Sequence, residues 1–521
     1  LLPIALNFVL NYILSFMYIG LLTDAARILA VFPVPSISHQ VVFRPITQEL
    51  ARRGHEVIVI TPNPAFPKGE APQNITEIDI HDISYEVWNN EFMKKAKDTA
   101  HDIKENFRLI LKAFIAFFDH QLQVPEIQEL INDNSQTFDL LLLEACVRPA
   151  LIFSHIFIAP VIQVGSLAGI FDNYVVIGAP THPLLYPTIA HTRLYNLTML
   201  EKARELYNHY AIDEIFRNEE ENENQILRKH FGSGIPPLRD LSNNVDMLFL
   251  NVHPIFDSMR PVPQTVVYLG GLHQNPAKEL PTDLKEYLDA SNRGVIYMSL
   301  GTNVDPSLLS PERVSLLVKV FSQLPYNVLL KWHTDDLPDK SENIRIAKWW
   351  PQSDVLKHPN VKLFITQGGI QSTDEAITAG VPLIGIPMIA DQWHNVEKYV
   401  HFGIGLQLEL KDLTEETLKE LTYRGFSSYR ENIVKFRTII EDQPQKPLDR
   451  AVWWAEYVIR HKGARHLRAP AANISWAQYY EVELALTFIG VILGLLSVLS
   501  LSLWYIYSYV KDTGHIKIKR S

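Results

Sequence analysis

Over residues 27–61 the spacing of the apolar residues changes from that of a strand to that of a helix and back again. Apolar strands are predicted over Arg27–Phe32 and Glu56–Thr61, with a loop over Pro33–His39 after the first. Between them, Gln40–Arg53 carries apolar residues at helical spacing, and Gly54 follows as a helix-ending glycine. A strand, a helix and a strand in so few residues predict a parallel sheet.

The same alternation continues towards the C-terminus. Phe138–Glu144 is predicted as a buried strand, and residues 197–231 as a long polar helix. A second α/β region begins near Asp283, and its predicted elements are the strands Gly294–Ser299, Tyr326–Trp332, Val361–Thr366 and Pro382–Pro387 and the helices Pro311–Gln323 and Thr373–Ala379. With the proline-rich stretch Pro261–Pro281 as a linker, the pattern predicts an α/β protein with two doubly wound domains in tandem.

Both ends of the chain are strongly hydrophobic. Leu1–Leu22 has no charge and precedes Ala25 and Ala26, which is typical of a secretory signal peptide; a retained membrane helix is the alternative. Residues 484–510 are a run of 27 without charge. As a helix this run would be about 40 Å long, enough to cross a bilayer, although a buried core helix is the alternative. The basic residues after it predict a cytosolic tail and a lumenal body, as in a single-pass type I protein.

Composition narrows the class of protein further. The 521 residues are 47% hydrophobic, which allows large cores and suggests two or three domains. A net charge of -10, without a basic stripe, argues against nucleic-acid binding. The single cysteine, Cys146, can form no intrachain disulfide, which taken alone favours the cytosol. We give more weight to the two hydrophobic ends.

Other short patterns agree with a lumenal body. Three Asn-x-Ser/Thr triplets predict glycosylation, at Asn74, Asn196 and Asn473. Lys517 and Lys519, five and three places from the last residue, resemble the dibasic pattern that returns type I membrane proteins to the endoplasmic reticulum. We therefore expect an endoplasmic reticulum membrane protein.

A glycine pair directly after a predicted strand is the first candidate for chemistry. The strand ends at Thr366, Gly368 and Gly369 let the backbone approach a ligand, and a helix follows. Free N–H groups and the positive dipole end at such a helix start bind phosphate, and Ser372 adds a hydroxyl. The alternative is structural, because Ser372 and Glu375 have the spacing of a capping box.

The 44 residues around this turn, from Trp349 to Gln392, favour the functional interpretation. They read WWPQSDVLKHPNVKLFITQGGIQSTDEAITAGVPLIGIPMIADQ and resemble the donor-binding signature of the UDP-glycosyltransferase family. Related features cover nearly the whole chain, including both hydrophobic ends. The resemblance implies a GT-B-type fold, in which two Rossmann-like domains face a cleft, with a C-terminal transmembrane helix.

The resemblance also implies individual roles in binding the UDP-sugar. Trp349 would stack on the uracil, an interaction worth about 1–3 kcal/mol per base, and Glu375 would accept hydrogen bonds from the ribose. Two loops would hold the diphosphate, through Ser299, Gly301, Thr302, Gln367, Gly368, Gly369 and Ser372. The nucleoside and the sugar hydroxyls would be held by Gln352, Asp391 and Gln392.

Some positions depart from the family pattern. Gln367 stands where many members have a histidine that contacts the diphosphate, and glutamine can donate a hydrogen bond but carries no charge. Ile370 and Gln371 stand where many plant members have Trp-Asn. These features resemble the insect members, which generally use UDP-glucose, whereas vertebrate relatives often use UDP-glucuronate. Glucose is therefore the expected sugar, with glucuronate as the alternative.

His39 and Glu144 are the candidate catalytic pair. His39 lies where the first predicted helix starts, beyond the carboxyl end of a strand, and a helix N-terminus disfavours a charged imidazole. The segment Pro35–His39 resembles the family's catalytic-histidine loop. Glu144 ends a strand where family members usually carry Asp, and a carboxylate there would orient the imidazole. The alternatives are a surface or capping histidine and a strand-end glutamate that faces solvent.

The expectations for the whole chain follow from the resemblance. The expected segments are a signal peptide (1–26), an acceptor-binding domain (27–282), a UDP-sugar-binding domain (283–450), a return helix and juxtamembrane segment (451–483), a transmembrane helix (484–510) and a cytosolic tail (511–521). The expected partners are a UDP-sugar co-substrate, a small lipophilic acceptor and the bilayer; a homo-oligomer stays open. No cofactor is expected, and the lack of an Asp-x-Asp triplet disfavours a metal-dependent mechanism.

No motif in the sequence identifies the acceptor. The aromatic residues spaced along Phe107–Phe118 either line a lipophilic pocket or form a plain buried helix face. Two other classes of protein are weighed against the enzyme. A non-catalytic protein that retains the fold is suggested only by Glu144 and Gln367, and a structural membrane glycoprotein leaves the 44-residue match unexplained.

Overall fold

The computed structural model describes residues 25–96, 102–274, 276–303, 309–423 and 427–518. Almost all of the expected signal peptide (1–26) and the last residues of the expected cytosolic tail, including Lys519, lie outside the described residues.

The described chain forms two parallel sheets, one after the other. The first sheet has the strand order β3-β2-β1-β4-β5-β6-β7. Its strands are β1 (Arg27–Val31), β2 (Glu56–Thr61), β3 (Ile75–Asp79), β4 (Leu140–Glu144), β5 (Val161–Gly165), β6 (Val245–Leu250) and β7 (Val266–Tyr268). The central strands are buried along their length because helices cover both faces, which explains their continuous apolar sequences.

The second sheet repeats this topology with the order β10-β9-β8-β11-β12-β13. Its strands are β8 (Val295–Ser299), β9 (Asn327–Lys331), β10 (Ile344–Ala347), β11 (Val361–Thr366), β12 (Leu383–Gly385) and β13 (Gly405–Gln407). The strand order reverses between β1 and β4 in the first sheet, and between β8 and β11 in the second. Ligands of doubly wound folds bind at the carboxyl ends of strands at such a reversal.

Most helices belong to one or other of the two units that contain these sheets. Those of the N-terminal unit are α1 (Ile37–Arg52), α2 (His81–Trp88), α3 (Lys94–Ala96), α4 (Ile103–Gln121), α5 (Pro125–Asn132), α6 (Ile152–Phe157), α7 (Phe171–Ile177), α8 (Met199–Phe231) and α9 (Leu238–Leu241). Those of the second unit are α10 (Thr282–Ala290), α11 (Pro311–Gln323), α12 (Gln352–Leu356), α13 (Ile370–Ala379), α14 (Gln392–His401), α15 (Glu415–Tyr423) and α16 (Ser427–Glu441). Three more follow, α17 (Pro447–His461), α18 (Trp476–Tyr479) and α19 (Val482–Ile518).

Helix α17 returns to the first unit after the second is complete. Its buried face, which includes Val452 and Val458, belongs to the same core as the residues of β1 and α1. Arg53, directly after α1, donates to the Glu456 carboxylate at 3.2 Å. The chain therefore crosses between the two units twice, and the packing of α17 on the first unit ties them together.

Helix α19 is separate from both cores. Its segment Val482–Lys511 has 30 residues, and its most apolar stretch of 18 residues has a mean hydropathy of 2.5 and is not buried against the rest of the protein. By length and composition it can cross a membrane, and it includes the run predicted at 484–510.

Several local predictions need correction. Helix α1 starts at Ile37, so His39 lies in its first turn rather than in the preceding loop. Strand β7 lies within the stretch interpreted as a linker and extends the first sheet. The aromatic face of α4 is buried in the core, including Phe107, Phe117 and Phe118, and is a plain packing face.

Candidate active site

The carboxyl ends of the two sheets face one cavity of about 560 Å³. The N-terminal wall comes from the start of α1 and includes His39 and Val41. The opposite wall comes from the loops after β8 and β11 and from the starts of α12, α13 and α14. Of the sequence-predicted residues it includes Ser299, Gly301, Thr302, Trp349, Gln352, Gln367, Gly369, Ser372, Glu375, Asp391 and Gln392. Residues far apart in the sequence thus share one cavity because both sheets reverse their strand order there.

The imidazole of His39 is paired with a carboxylate behind it. Its Nδ1 lies 2.6 Å from Glu144 Oε1, and the edge of its ring packs on Phe43 with centroids 6.5 Å apart. A carboxylate can only accept, so Nδ1 carries the proton of this hydrogen bond and Nε2 is the ring nitrogen able to take another. The arrangement is that of a general base oriented by an acid.

Glu144 lies below the cavity floor and does not line it. Its Oε2 accepts a hydrogen bond from Val34 N at 3.0 Å, and Cys146 Sγ donates to Oε1 at 3.7 Å. These donors stabilise a buried carboxylate, and the extra methylene relative to aspartate does not prevent the contact with His39. The interpretation of Glu144 as a strand-end residue facing solvent is therefore wrong.

Among the described residues of the site, one group of three side chains has the ligand atoms and spacing that a metal ion would need. The ligand-type atoms of His39, Glu144 and Cys146 all lie within 4.8 Å of one another. An ion there would have to replace the hydrogen bonds that His39 and Cys146 make to the carboxylate. Burial, helped by the nearby Glu144 carboxylate, also raises the pKa of the Cys146 thiol, which disfavours the thiolate that binds metals.

The opposite wall, formed by the second unit, is called the donor wall because its residues are those predicted to bind the UDP-sugar. It contains a hydrogen-bonded set centred on Gln352. Its Nε2 donates to Ser372 Oγ at 2.9 Å and to Glu375 Oε2 at 2.7 Å, and Tyr297 OH donates to its Oε1 at 3.1 Å. Burial raises the pKa of Glu375 to about 7. Trp349 lines the same cavity and is 62% exposed, so a flat ring can stack on its indole.

The same contacts decide the question of the capping box. Helix α13 begins at Ile370 with Gly369 as its N-cap, so Ser372 already lies inside the first turn. The hydroxyl of Ser372 accepts from Gln352 instead of capping the helix. The structural alternative is therefore wrong, and the start of α13 lines the cavity without a side-chain cap on its N–H groups.

Two glycines allow close packing in the turns after β8 and β11. Gly301 has φ +79°, and a Cβ there would lie 2.2 Å from Gln367 Nε2. Gly368 has φ +96°, and a Cβ there would lie 2.4 Å from Val396 Cγ2. Gly368 does not line the cavity. Its contribution is the close packing of the turn onto α14.

Asp391 and Gln392 stand at the far end of the donor wall, where α14 starts. Asp391 Oδ2 accepts from Asn395 Nδ2 at 2.7 Å, and burial raises the pKa of its carboxyl group. Gln392 Oε1 accepts from the backbone N–H groups of Met388 and Ile389, which fixes the side chain where it lines the cavity. The pair thus offers an acceptor and a donor in fixed positions.

Comparison with known proteins shows the family of the chain. The model of the family described as "UDP-glucoronosyl and UDP-glucosyl transferase" matches residues 27–515. The chain belongs to this family. It is therefore a UDP-dependent glycosyltransferase, and its two Rossmann-like domains form a GT-B fold.

Named relatives cover most of the chain. An ecdysteroid UDP-glucosyltransferase of Spodoptera littoralis nuclear polyhedrosis virus is 36% identical in a 490-residue alignment that covers 89% of this chain and 93% of the relative. UDP-glucosyltransferase 2 of Dactylopius coccus is 30% identical over 478 residues, 90% of each chain.

Solved structures agree on the fold. A glycosyltransferase of kitacinnamycin has a TM-score of 0.55 at 18% identity and covers 84% of this chain and all of its own. Arabidopsis thaliana UGT89C1 complexed with UDP-L-rhamnose has a TM-score of 0.55 at 14% identity, with 84% of this chain and 99% of its own covered.

This glycosyltransferase has further residues at the site that its sequence pattern did not reveal. Asn303 bridges the cleft, because Ser36 Oγ donates to its Oδ1 at 3.0 Å while its Nδ2 lies 3.5 Å from Ser38 Oγ. Lys331, at the end of β9, lines the cavity beside Trp349. Neither residue lies in the 44-residue stretch. The position of Lys331 near the carboxyl end of a predicted strand could nevertheless have indicated a ligand-binding residue.

Proposed function

We propose that this enzyme transfers glucose from UDP-glucose to a hydroxyl of a small lipophilic acceptor, with inversion at the anomeric carbon. The observation that carries the proposal is the 2.6 Å contact between His39 and Glu144, placed across the cavity from the donor wall. A base on one wall and a nucleotide site on the other suit an in-line displacement.

In the proposed reaction, His39 Nε2 takes the proton of the acceptor hydroxyl as its oxygen attacks the anomeric carbon. The bond from that carbon to the UDP oxygen breaks, and the electron pair leaves with UDP. Attack from the face opposite UDP turns an α-linked donor into a β-glycoside. Glu144 stabilises the imidazolium that forms, and the N–H groups at the start of α13 stabilise the leaving diphosphate.

The donor would occupy the wall formed by the second domain. Uracil would stack on Trp349, the ribose would donate to Glu375, and the diphosphate would lie between the Ser299–Thr302 turn and the start of α13. Asp391 and Gln392 would bind the sugar hydroxyls. The hydrogen bonds that already orient Gln352, Glu375 and Gln392 support these roles, because preorganised groups bind at a lower entropic cost.

The choice of glucose rests on the relatives, whose names specify UDP-glucosyltransferases. The name of one of them also specifies ecdysteroids, and we propose polyhydroxylated steroids as the first acceptor class to test. The apolar side chains of Ile37, Val41 and Leu167 on the N-terminal side of the cavity suit a lipophilic ring system. Conjugation of this kind serves hormone inactivation or detoxification.

We further propose that the enzyme is a type I protein of the endoplasmic reticulum membrane, anchored by α19, with its catalytic domains in the lumen. The uncharged N-terminal segment and the basic C-terminal tail support this topology. Exposed side chains at Asn74 and Asn196 suit glycosylation. The Asn473 side chain is half-buried; its amide donates to Arg239 O at 3.1 Å, and that of Asn74 donates to Ala51 O at 3.2 Å. We also propose that the reaction needs no metal ion.

The test is sugar transfer in membranes that contain the full chain. UDP-glucose and UDP-glucuronate are offered separately, with ecdysteroids, phenols and flavonoids as acceptors, with and without EDTA. His39→Ala should abolish product formation, whereas His155→Ala, which changes an exposed histidine of the same domain, should not. Product from UDP-glucuronate alone would refute the choice of sugar. Product that persists in His39→Ala would refute the base, and loss of product in EDTA would refute metal independence.

A further inference from the structure

A lysine that the proposed mechanism does not use lies on the donor side of the cavity. Lys331 is the last residue of β9, and its Nζ donates to Gly301 O at 2.9 Å, in the turn after β8. The same Nζ lies 4.5 Å from the centre of the Trp349 ring. The ammonium group therefore stands between the turn that would cover the diphosphate and the ring that would stack on uracil.

The charge of Lys331 has no acidic partner in the described part of the chain. Its contacts are a carbonyl oxygen and an aromatic ring. The nearby carboxylate of Asp335 pairs instead with Lys348 at 2.9 Å. Burial lowers the pKa of Lys331 to about 8. A half-buried ammonium without a carboxylate is costly in free energy unless a ligand supplies the negative charge.

The other basic residues that line the cavity are placed differently. Arg44, on the N-terminal wall, donates to Asn63 O at 2.8 Å. Lys278 is exposed at the rim. Gln367, where many family members have a histidine, is neutral. Among the described residues of the donor wall, Lys331 is therefore the one that places a positive charge beside the Gly301 turn. The diphosphate of the donor is expected at that turn.

We propose that Lys331 is a donor-binding residue whose ammonium group pairs with the diphosphate of the nucleotide sugar. This rests on the proposed function, since it requires the nucleotide to bind along Trp349 and the Gly301 turn. Negative charge grows on the diphosphate as the bond to the sugar breaks. The ammonium group then stabilises the leaving group as well as the bound donor, so its loss lowers kcat and also raises the KM for UDP-sugar.

The experiment compares the binding of UDP and uridine to the purified full chain in detergent by calorimetry. Lys331→Met keeps the length of the stem and removes the charge. Hydrogen bonds to charged groups are worth enough that UDP affinity should fall roughly tenfold to a hundredfold. Uridine has no phosphate, so its affinity should change by less than about threefold. Lys331→Arg should retain most of the UDP affinity, and Lys348→Met is the matched control.

Each outcome decides one question. If Lys331→Met binds UDP as the wild type does, the inference is wrong. If the affinities for UDP and uridine fall together, Lys331 supports the ring or the turn, and the pairing with phosphate is refuted. A wild type that binds no UDP, or a Trp349→Ala variant that binds it equally well, refutes the donor site of the proposed function instead. If Lys331→Met does not fold, the salt dependence of binding by the wild type tests the pairing of the ammonium group with phosphate. Salt should lower the affinity for UDP and leave the affinity for uridine unchanged.

Discussion

Replacing Glu144 by glutamine is the sharpest test of the catalytic pair. Glu144→Gln keeps the shape of the side chain and removes its negative charge. The buried carboxylate accepts from His39 Nδ1 at 2.6 Å and from Val34 N at 3.0 Å. An amide at this position can accept only one of these bonds well, and its NH₂ group would face either the Val34 N–H or the imidazole.

The magnitude follows from the contact that is lost. A hydrogen bond to a charged group contributes about 1.5–3 kcal/mol, and it matters most when the imidazole becomes positive in the transition state. Each 1.36 kcal/mol is a factor of ten in rate, so kcat should fall by about 10- to 150-fold. The KM for UDP-sugar should stay within about twofold, because Glu144 does not line the cavity.

The assay is steady-state transfer at saturating acceptor, with UDP affinity and the thermal midpoint measured on the same preparations. Glu126→Gln, which neutralises an exposed carboxylate of the same domain, is the control and should behave as the wild type does. Glu144→Asp keeps the charge but shortens the side chain by about 1.5 Å and should lie between the two. A Glu144→Gln enzyme with normal kcat would refute the view that a charged partner orients and stabilises His39.

Further predictions concern donor binding, the cleft and the turn. Burial raises the pKa of Glu375 to about 7, and ribose hydroxyls bond to its ionised form, so UDP affinity should fall as pH decreases through 7; Glu375→Gln should remove this dependence in calorimetry. Ser36→Ala and Asn303→Ala should each lower kcat/KM, with a coupling of about 0.5–1 kcal/mol in the double mutant; strictly additive losses would contradict the contact across the cleft. Gly368→Ala should destabilise the fold by about 1–3 kcal/mol and lower the thermal midpoint, because φ is +96° and a valine blocks the Cβ. Gly234→Ala, where a Cβ meets nothing within 4 Å, should leave the midpoint unchanged.

The elements predicted best are those with strong local patterns. Strand β11 and helix α11 have the predicted bounds, because the strand is apolar throughout and the helix starts with proline at its first position. Six strands of the described chain were not predicted: β3, β5, β6, β7, β10 and β13. Four of them, β3, β7, β10 and β13, are short strands at the sheet edges, where little of their sequence needs to be apolar. The other two, β5 and β6, are buried in the first sheet, and their short apolar runs alone did not distinguish them from buried helix segments. Sheet pairing with neighbours distant in sequence determines such strands.

The candidate site divides in the same way. Most donor-wall residues could be named in advance, because one continuous stretch of 44 residues contains them and its turn needs particular side chains. Lys331 and Asn303 lie outside that stretch and became evident only from the cavity they share. The contact of Cys146 with Glu144 likewise depends on how the chain turns after β4.

The sequence by itself determined two parallel α/β domains and one apolar helix near the C-terminus, and it predicted the residues of a nucleotide-sugar site in the second domain. Local patterns suffice for these features, because apolar runs, glycine turns and helix starts act on residues close in the chain. Only the tertiary structure decided that His39 Nδ1 lies 2.6 Å from Glu144 and that Ser36 reaches Asn303 across the cleft. Those contacts join residues more than 100 positions apart, and their geometry depends on the packing of both sheets at once.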